Sequence, residues 1–227
     1  MTKAVPPVAV ERSVMTLLTD SIRLAMEAQR FDDNDFRNTL ARASIVSSVL
    51  YVEACANCCV DLLQLPAQFA AEVDRMSTAA KLDLFLHMKY KGRAIDRSRV
   101  EYQLYGELRK FRDAFVHPKA QRYEWLEWSE ESSTATSPRM KATGLPRIPA
   151  FAYSEDALKA LKSTHKFVGY FFRDLCRMRP THVSTLLSSE DESPSVKGPV
   201  FPYWPRAIRW WLRHEEVDMS YMRLGWL

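Results

Sequence analysis

Between Phe36 and Leu65 the chain carries few charges and is rich in Ala, Ser and Cys, and this run most constrains the fold. Its length and composition predict a long helix, ended by Pro66. Small side chains let neighbouring helices approach closely, so this helix is expected at the centre of the packing. Glu53 is the only acidic or basic side chain between Arg42 and Asp61. A lone carboxylate is costly to bury. Glu53 is therefore expected to reach a cleft or to meet a cation from another helix, with Arg109 and Arg112 as candidates. Either cation would set the second helix against the helix that carries them.

Helical periodicity recurs on both sides of this run. Val14, Leu17, Leu18, Ile22 and Met26 share one side of a first helix over about 10–30, and Asn34 or Asp35 is a candidate cap for the second. Shorter patterns cover about 67–75 and 78–89, with Ser77 as a candidate N-cap. Another helix is predicted over about 96–117 and another from Ser154 to about Met178. His165 lies on the buried face of the last, where a core histidine with a hydrogen-bond partner is expected. The fold class is all-α.

The helix over 96–117 ends in Glu107-Leu-Arg-Lys-Phe-Arg-Asp-Ala-Phe-Val-His-Pro-Lys119. Val100, Leu104, Leu108, Phe111 and Phe115 step by four, four, three and four, a helical stripe expected to be buried. Asp113 lies one turn before His117, so the two can face each other. Pro118 disfavours helical geometry at His117 and ends the helix there. An arginine, an acid and a histidine packed this closely suit work on a phosphate. Two other Arg-to-His pairs have similar spacing. Arg177 to His182 straddles Pro180, and Arg209 to His214 has Trp210 and Trp211 after the arginine in place of a polar neighbour.

Phe111-Arg-Asp-Ala-Phe-Val-His-Pro118 resembles the Arg-x4-6-His signature of the HEPN superfamily, all-helical domains that include many metal-independent ribonucleases. With flanking helices counted, the resemblance covers residues 10–178. It implies a HEPN-like helical bundle and an endoribonuclease, in the role of a toxin or host-defence effector. It also implies a homodimer that brings two Arg/His pairs into one cleft, with an antitoxin or regulatory protein as a further partner. Under it His117 assists proton transfer as the RNA 2′-OH attacks the neighbouring phosphate. Arg112 stabilises charge on the phosphoryl oxygens, and Asp113 orients Arg112 or His117. Glu53 and Arg109 are supporting candidates, and no cofactor is implied. The alternative is a non-catalytic helical interaction or dimerisation protein.

Outside the helices the character changes. Residues 120–152 read as an irregular or hairpin-bearing insertion. Tyr123 to Trp128 alternates like a strand, Ser129 to Gly144 is polar and expected to move, and Leu145 to Tyr153 is expected to pair back. Residues 179–202 read as a flexible linker on the strength of Ser188-Ser-Glu-Asp-Glu-Ser-Pro194. Residues 203–227 read as a C-terminal amphipathic helical segment rich in Trp, with Pro205 at its first position. Packing on its own core or on a second subunit is favoured over a membrane surface, because Glu215, Glu216 and Asp218 oppose anionic lipid.

The formal charge of +4 permits nucleic-acid binding without announcing it. Lys89, Tyr90, Lys91 and Arg93 form a basic loop with an aromatic residue for stacking, and Lys119 and Arg122 follow the motif. These six are the candidate RNA contacts, and the alternative for the loop is a solvated helix-helix turn. Cys55, Cys58 and Cys59 share one helix with Cys176 far away, so buried thiols are expected in place of a zinc site. No secretory signal is recognised at the start, and Ala43 to Val60 carries Glu53, Asn57 and three serines, so no membrane span is expected and the location is expected to be cytoplasmic.

Overall fold

A computed structural model describes residues 9–129, 131–191, 198–200 and 204–223. The chain is mostly helical. Helix α1 (Val14–Arg30) buries Val14, Leu18, Ile22, Ala25 and Ala28 along one side. The first expected helical turn is absent, because Ala9–Val10 is a short strand, β1. Helix α2 (Asn34–Asp61) is capped by Asp33, whose carboxylate accepts the Phe36 N–H at 2.8 Å. Asn34 and Asp35, the expected caps, already lie inside the helix; Asp33 has the extended backbone that a cap needs.

By length and composition α2 is long and apolar enough to cross a membrane. Here α1, α4, α5 and α6 pack against it. Its small residues allow this: Ser44 donates to the Ser21 carbonyl of α1 at 2.7 Å, so the two helices approach without a large side chain between them. Helices α3 (Ala67–Asp74) and α4 (Thr78–Lys89) follow, and Ser77 caps α4 by accepting the Ala80 N–H. Lys81 of α4 is buried and donates to Asn57 at 2.8 Å and Asp74 at 3.2 Å, which ties α2, α3 and α4 together.

Helix α5 (Val100–Val116) buries Leu104, Leu108 and Phe111. Val100 and Phe115, the two ends of the expected stripe, are exposed, since they fall in the first and last turns beyond the packed middle of the helix. The insertion holds a hairpin, β2 (Glu124–Trp128) and β3 (Ser133–Thr136), antiparallel. The partner of the first strand is therefore the segment expected to move, not Leu145–Tyr153. The reason lies on α5: the Glu107 carboxylate accepts the Ala142 and Thr143 N–H groups at 2.7–3.0 Å, which anchors the loop after β3. Burial alone would raise the Glu107 carboxyl, but these hydrogen bonds outweigh it and hold it below the usual range. Residues Pro149–Phe151 form a single 3-10 turn instead of a strand.

Helix α6 (Ser154–Gly169) continues as a π-helical turn over Tyr170–Leu175. The expected linker is structured in its described parts. Pro180 starts helix α7 (Pro180–Leu187), which buries Val183 and Leu187. Strands β4 (Ser189–Asp191) and β5 (Gly198–Val200) join β1 in an antiparallel sheet of order β1-β4-β5. The Arg12 guanidinium fastens this corner through the Ser188 carbonyl and Glu190, both at 2.8 Å. Residues 192–197 of that linker lie outside the described residues.

The C-terminal segment is part of the main core. Helix α8 (Arg206–His214) buries Ile208, Trp211 and Leu212, and Trp211 donates to Gln29 of α1 at 2.8 Å. Pro205 precedes the first helical residue. Tyr221 reaches the centre, where its hydroxyl meets Tyr51 at 2.8 Å and His165 Nδ1 at 2.7 Å. His165 is thus a core histidine with a partner, as its helical position implies. Tyr203 and residues 224–227 of the tail lie outside the described residues. All four cysteines are free and buried, and burial pushes the Cys58 thiol up to about 11 and Cys176 up to about 12.

Candidate functional site

Glu53 stands in the second half of α2 and Arg112 in the last turns of α5, and the two side chains form an ion pair. Of the two expected cations, Arg112 takes the lone carboxylate; Arg109 makes no ion pair among the described residues. On its other nitrogen Arg112 meets Asp113 at 3.0 Å. The guanidinium is therefore fixed between two carboxylates, and its Nε is buried without a partner among the described residues. Side-chain exposure is 23% for Arg112 and 26% for Glu53 against 49% for Asp113, so Asp113 is the partner that solvent or a ligand reaches first.

His117 is the C-cap of α5 and its side chain is exposed. Its backbone N–H donates to the Asp113 carbonyl at 2.9 Å. The Asp113 carboxylate turns to Arg112, a stronger partner than the facing contact with His117 that the i,i+4 spacing allows. Tyr105, two turns before Arg112, is buried and stacked on Phe167 at 4.6 Å. Burial pushes its hydroxyl up to about 12; Glu53 adds to the rise, and Arg109 and Arg112 oppose it. Tyr105 thus lies in the electrostatic reach of the pair. Its role in the α5 face was not read from the sequence, although it sits one turn before Arg109.

The basic loop is elsewhere. It precedes the first residue of α5 and His117 follows the last, so about 25 Å of helix separates them at 1.5 Å per residue. Two of its residues are also in use. Tyr90 is half-buried with its ring 5.8 Å from Phe85, and the Arg93 guanidinium donates to the Leu175 carbonyl at 2.5 Å. Lys89 and Lys91 are exposed. The loop lies at the other end of α5 from His117, and Lys119 and Arg122, both exposed, are the candidate RNA contacts close in sequence to His117.

The other two Arg-to-His pairs have different surroundings. Arg177 has a left-handed backbone (φ 54°) in the turn before α7. His214 stacks on Trp210 at 5.0 Å on the outer side of α8. No group of three or more His, Cys, Asp or Glu side chains is placed to hold a metal among the described residues.

The ion pair has a measurable consequence. Glu53→Gln is expected to cost about 1–2 kcal/mol, less than a fully buried pair, because both partners keep some solvent. Urea unfolding reads this, and an unshifted midpoint would show that solvent screens the pair completely. No protein-family model, no curated protein and no solved structure matches the chain.

Proposed function

We propose that this protein is an endoribonuclease of HEPN type that cleaves RNA without a metal. The observation that carries the reading is Arg112 clamped by Glu53 and Asp113, with His117 exposed one turn further at the end of the same helix. Glu53 holds the guanidinium from the α2 side and fixes its plane. A scissile phosphate replaces the more exposed Asp113 and takes the freed N–H groups, which stabilise charge on its oxygens as the reaction proceeds. The RNA 2′-oxygen bonds to phosphorus, its proton passes to His117, and the bond from phosphorus to the 5′-oxygen breaks. The products are a 2′,3′-cyclic phosphate and a 5′-hydroxyl.

One Arg/His pair gives one proton-transfer group, whereas the step needs a base and an acid. Two copies of the chain with their motifs close together supply both, and exposed Phe115 and Val116 next to His117 favour such a contact. Light scattering is expected to give a dimer at micromolar concentration. A toxin or host-defence role with a regulatory partner belongs to the same reading.

A helical interaction protein is the second reading, and the engagement of Arg112 by two carboxylates favours it, since that ion pair links α2 to α5 with or without RNA. Incubation of the purified protein with mixed RNA in EDTA separates the two. Fragments with cyclic phosphate ends are expected; intact RNA, with any copurifying partner removed, would favour the interaction protein.

A further inference from the structure

The β2–β3 hairpin opens seven residues after His117 and carries an exposed aromatic row, whose first ring, Tyr123, lies 6.0 Å from Phe151. A β-bulge produces the row. Trp125 pairs with Ala135 and Trp128 with Ser133, while the register shifts between Trp125 and Glu127. Leu126 is the extra residue, and it brings Trp125 and Trp128 to one face although they are three apart in sequence. Tyr123 continues that face two residues earlier. Its ring lies 5.1 Å from Trp125, and Trp125 lies 4.8 Å from Trp128. The residues opposite the two tryptophans are the small Ala135 and Ser133, so no cross-strand side chain covers the indoles. Trp128 is 70% exposed and Trp125 47%.

The two acidic residues of strand β2 belong to its other side, and Glu131 lies exposed in the turn between the strands. Glu124 pairs with Thr136 and Glu127 with Thr134, the opposite set of alternating positions. The cations precede the row: Lys119 and Arg122 are exposed and make no ion pair among the described residues. From His117 onward the described chain therefore presents two exposed cations and then open aromatic rings, with the carboxylates of β2 turned to the far face. That order matches a strand of alternating phosphates and bases.

We propose that this face is a base-stacking platform for single-stranded RNA, which Lys119 and Arg122 connect to the Arg112/His117 site through the phosphates. The choice of ligand rests on the ribonuclease reading. Trp128 offers the open ring, and Trp125, held between Tyr123 and Trp128, supports it. Stacking on an aromatic side chain tolerates any base, so the platform selects unpaired RNA over duplex and carries little sequence preference.

A fluorescein-labelled 2′-O-methyl oligoadenylate tests the proposal, because its blocked 2′-oxygen allows binding and prevents cleavage. Anisotropy at fixed salt is expected to show binding to the full protein. Trp128→Ala is expected to weaken it by about tenfold or more, and the double change with Trp125→Ala by more still. Trp210→Ala, an exposed tryptophan on α8, is expected to leave affinity unchanged. An oligonucleotide that binds wild type and Trp128→Ala equally, or binds neither, overturns the platform. So does a dimer that falls apart on Trp128→Ala while RNA affinity holds, which would give the face to a second copy. Cleavage of unmodified RNA is scored separately: RNA cut by wild type and by Trp128→Ala alike sinks the platform alone. Trp128-dependent binding without any cleavage keeps the platform and sinks the nuclease.

Discussion

Arg112→Ala and His117→Ala are each expected to slow RNA cleavage by about 10²–10⁴-fold, the usual cost of removing a group that moves a proton or stabilises charge in the transition state. The two variants differ in their structural cost. His117 is an exposed helix end, and its loss should change stability by no more than about 0.5 kcal/mol. Arg112→Ala leaves Glu53 without its cation and is expected to lower stability as well. Arg112→Lys separates the effects: it keeps a charge opposite Glu53 but lacks the planar fork that serves a carboxylate and a phosphate together. Near-normal stability with most activity lost is expected of it. His214→Ala, on the far pair of α8, should cut as wild type does. Equal cleavage by wild type and His117→Ala would remove His117 from the chemistry.

Punctuation made much of the fold readable. Ser77 caps α4 and Pro118 ends α5 at His117, so those boundaries agree with the sequence expectations to within a residue or two; Pro66 opens α3 instead of ending α2, which stops at Asp61, before the left-handed backbone of Gln64. Glu53 was readable for a different reason: a single carboxylate in an apolar helix needs a partner, and few cations were placed to supply one. Long-range backbone contacts were not readable. The amides of Ala142 and Thr143 bond to Glu107 from 35 and 36 residues away, and nothing local to Ser129–Gly144 signals that anchor. Helix α7 was masked by the polar run after it, although Val183, Leu186 and Leu187 have helical spacing. The aromatic face of the hairpin depends on a bulge; without that extra residue, strict alternation would put Trp125 and Trp128 on opposite sides.

Acid is expected to destabilise the protein between about pH 6.5 and pH 4.5 through its one buried histidine. His165 is the one buried histidine of five, and burial pushes its imidazole from the ordinary 6.5 down to about 4, with Asp218 opposing only weakly. Its Nε2 has no partner among the described residues, so a second proton there would be buried unpaired. The sign follows from proton counting. Between pH 6.5 and 4 the unfolded chain binds a proton that the folded chain refuses, so stability is full above 6.5 and falls as pH drops towards 4. The loss is on the order of 2–3 kcal/mol, large for a domain of ordinary stability. Glu107 and Asp218 have lowered values, so their contributions are lost only below about 4.5 and about 3.8 and fall outside the window. The bond from His165 to Tyr221 ties α6 to the C-terminal tail, and through Tyr51 to α2, so the tail should loosen with the rest. Urea unfolding at pH 7, 6 and 5 gives the slope. His165→Gln is expected to start lower and to lose most of the pH dependence, because the slope reports the proton and the level reports the packing. A variant with the same slope as wild type would show that the acid sensitivity comes from another group.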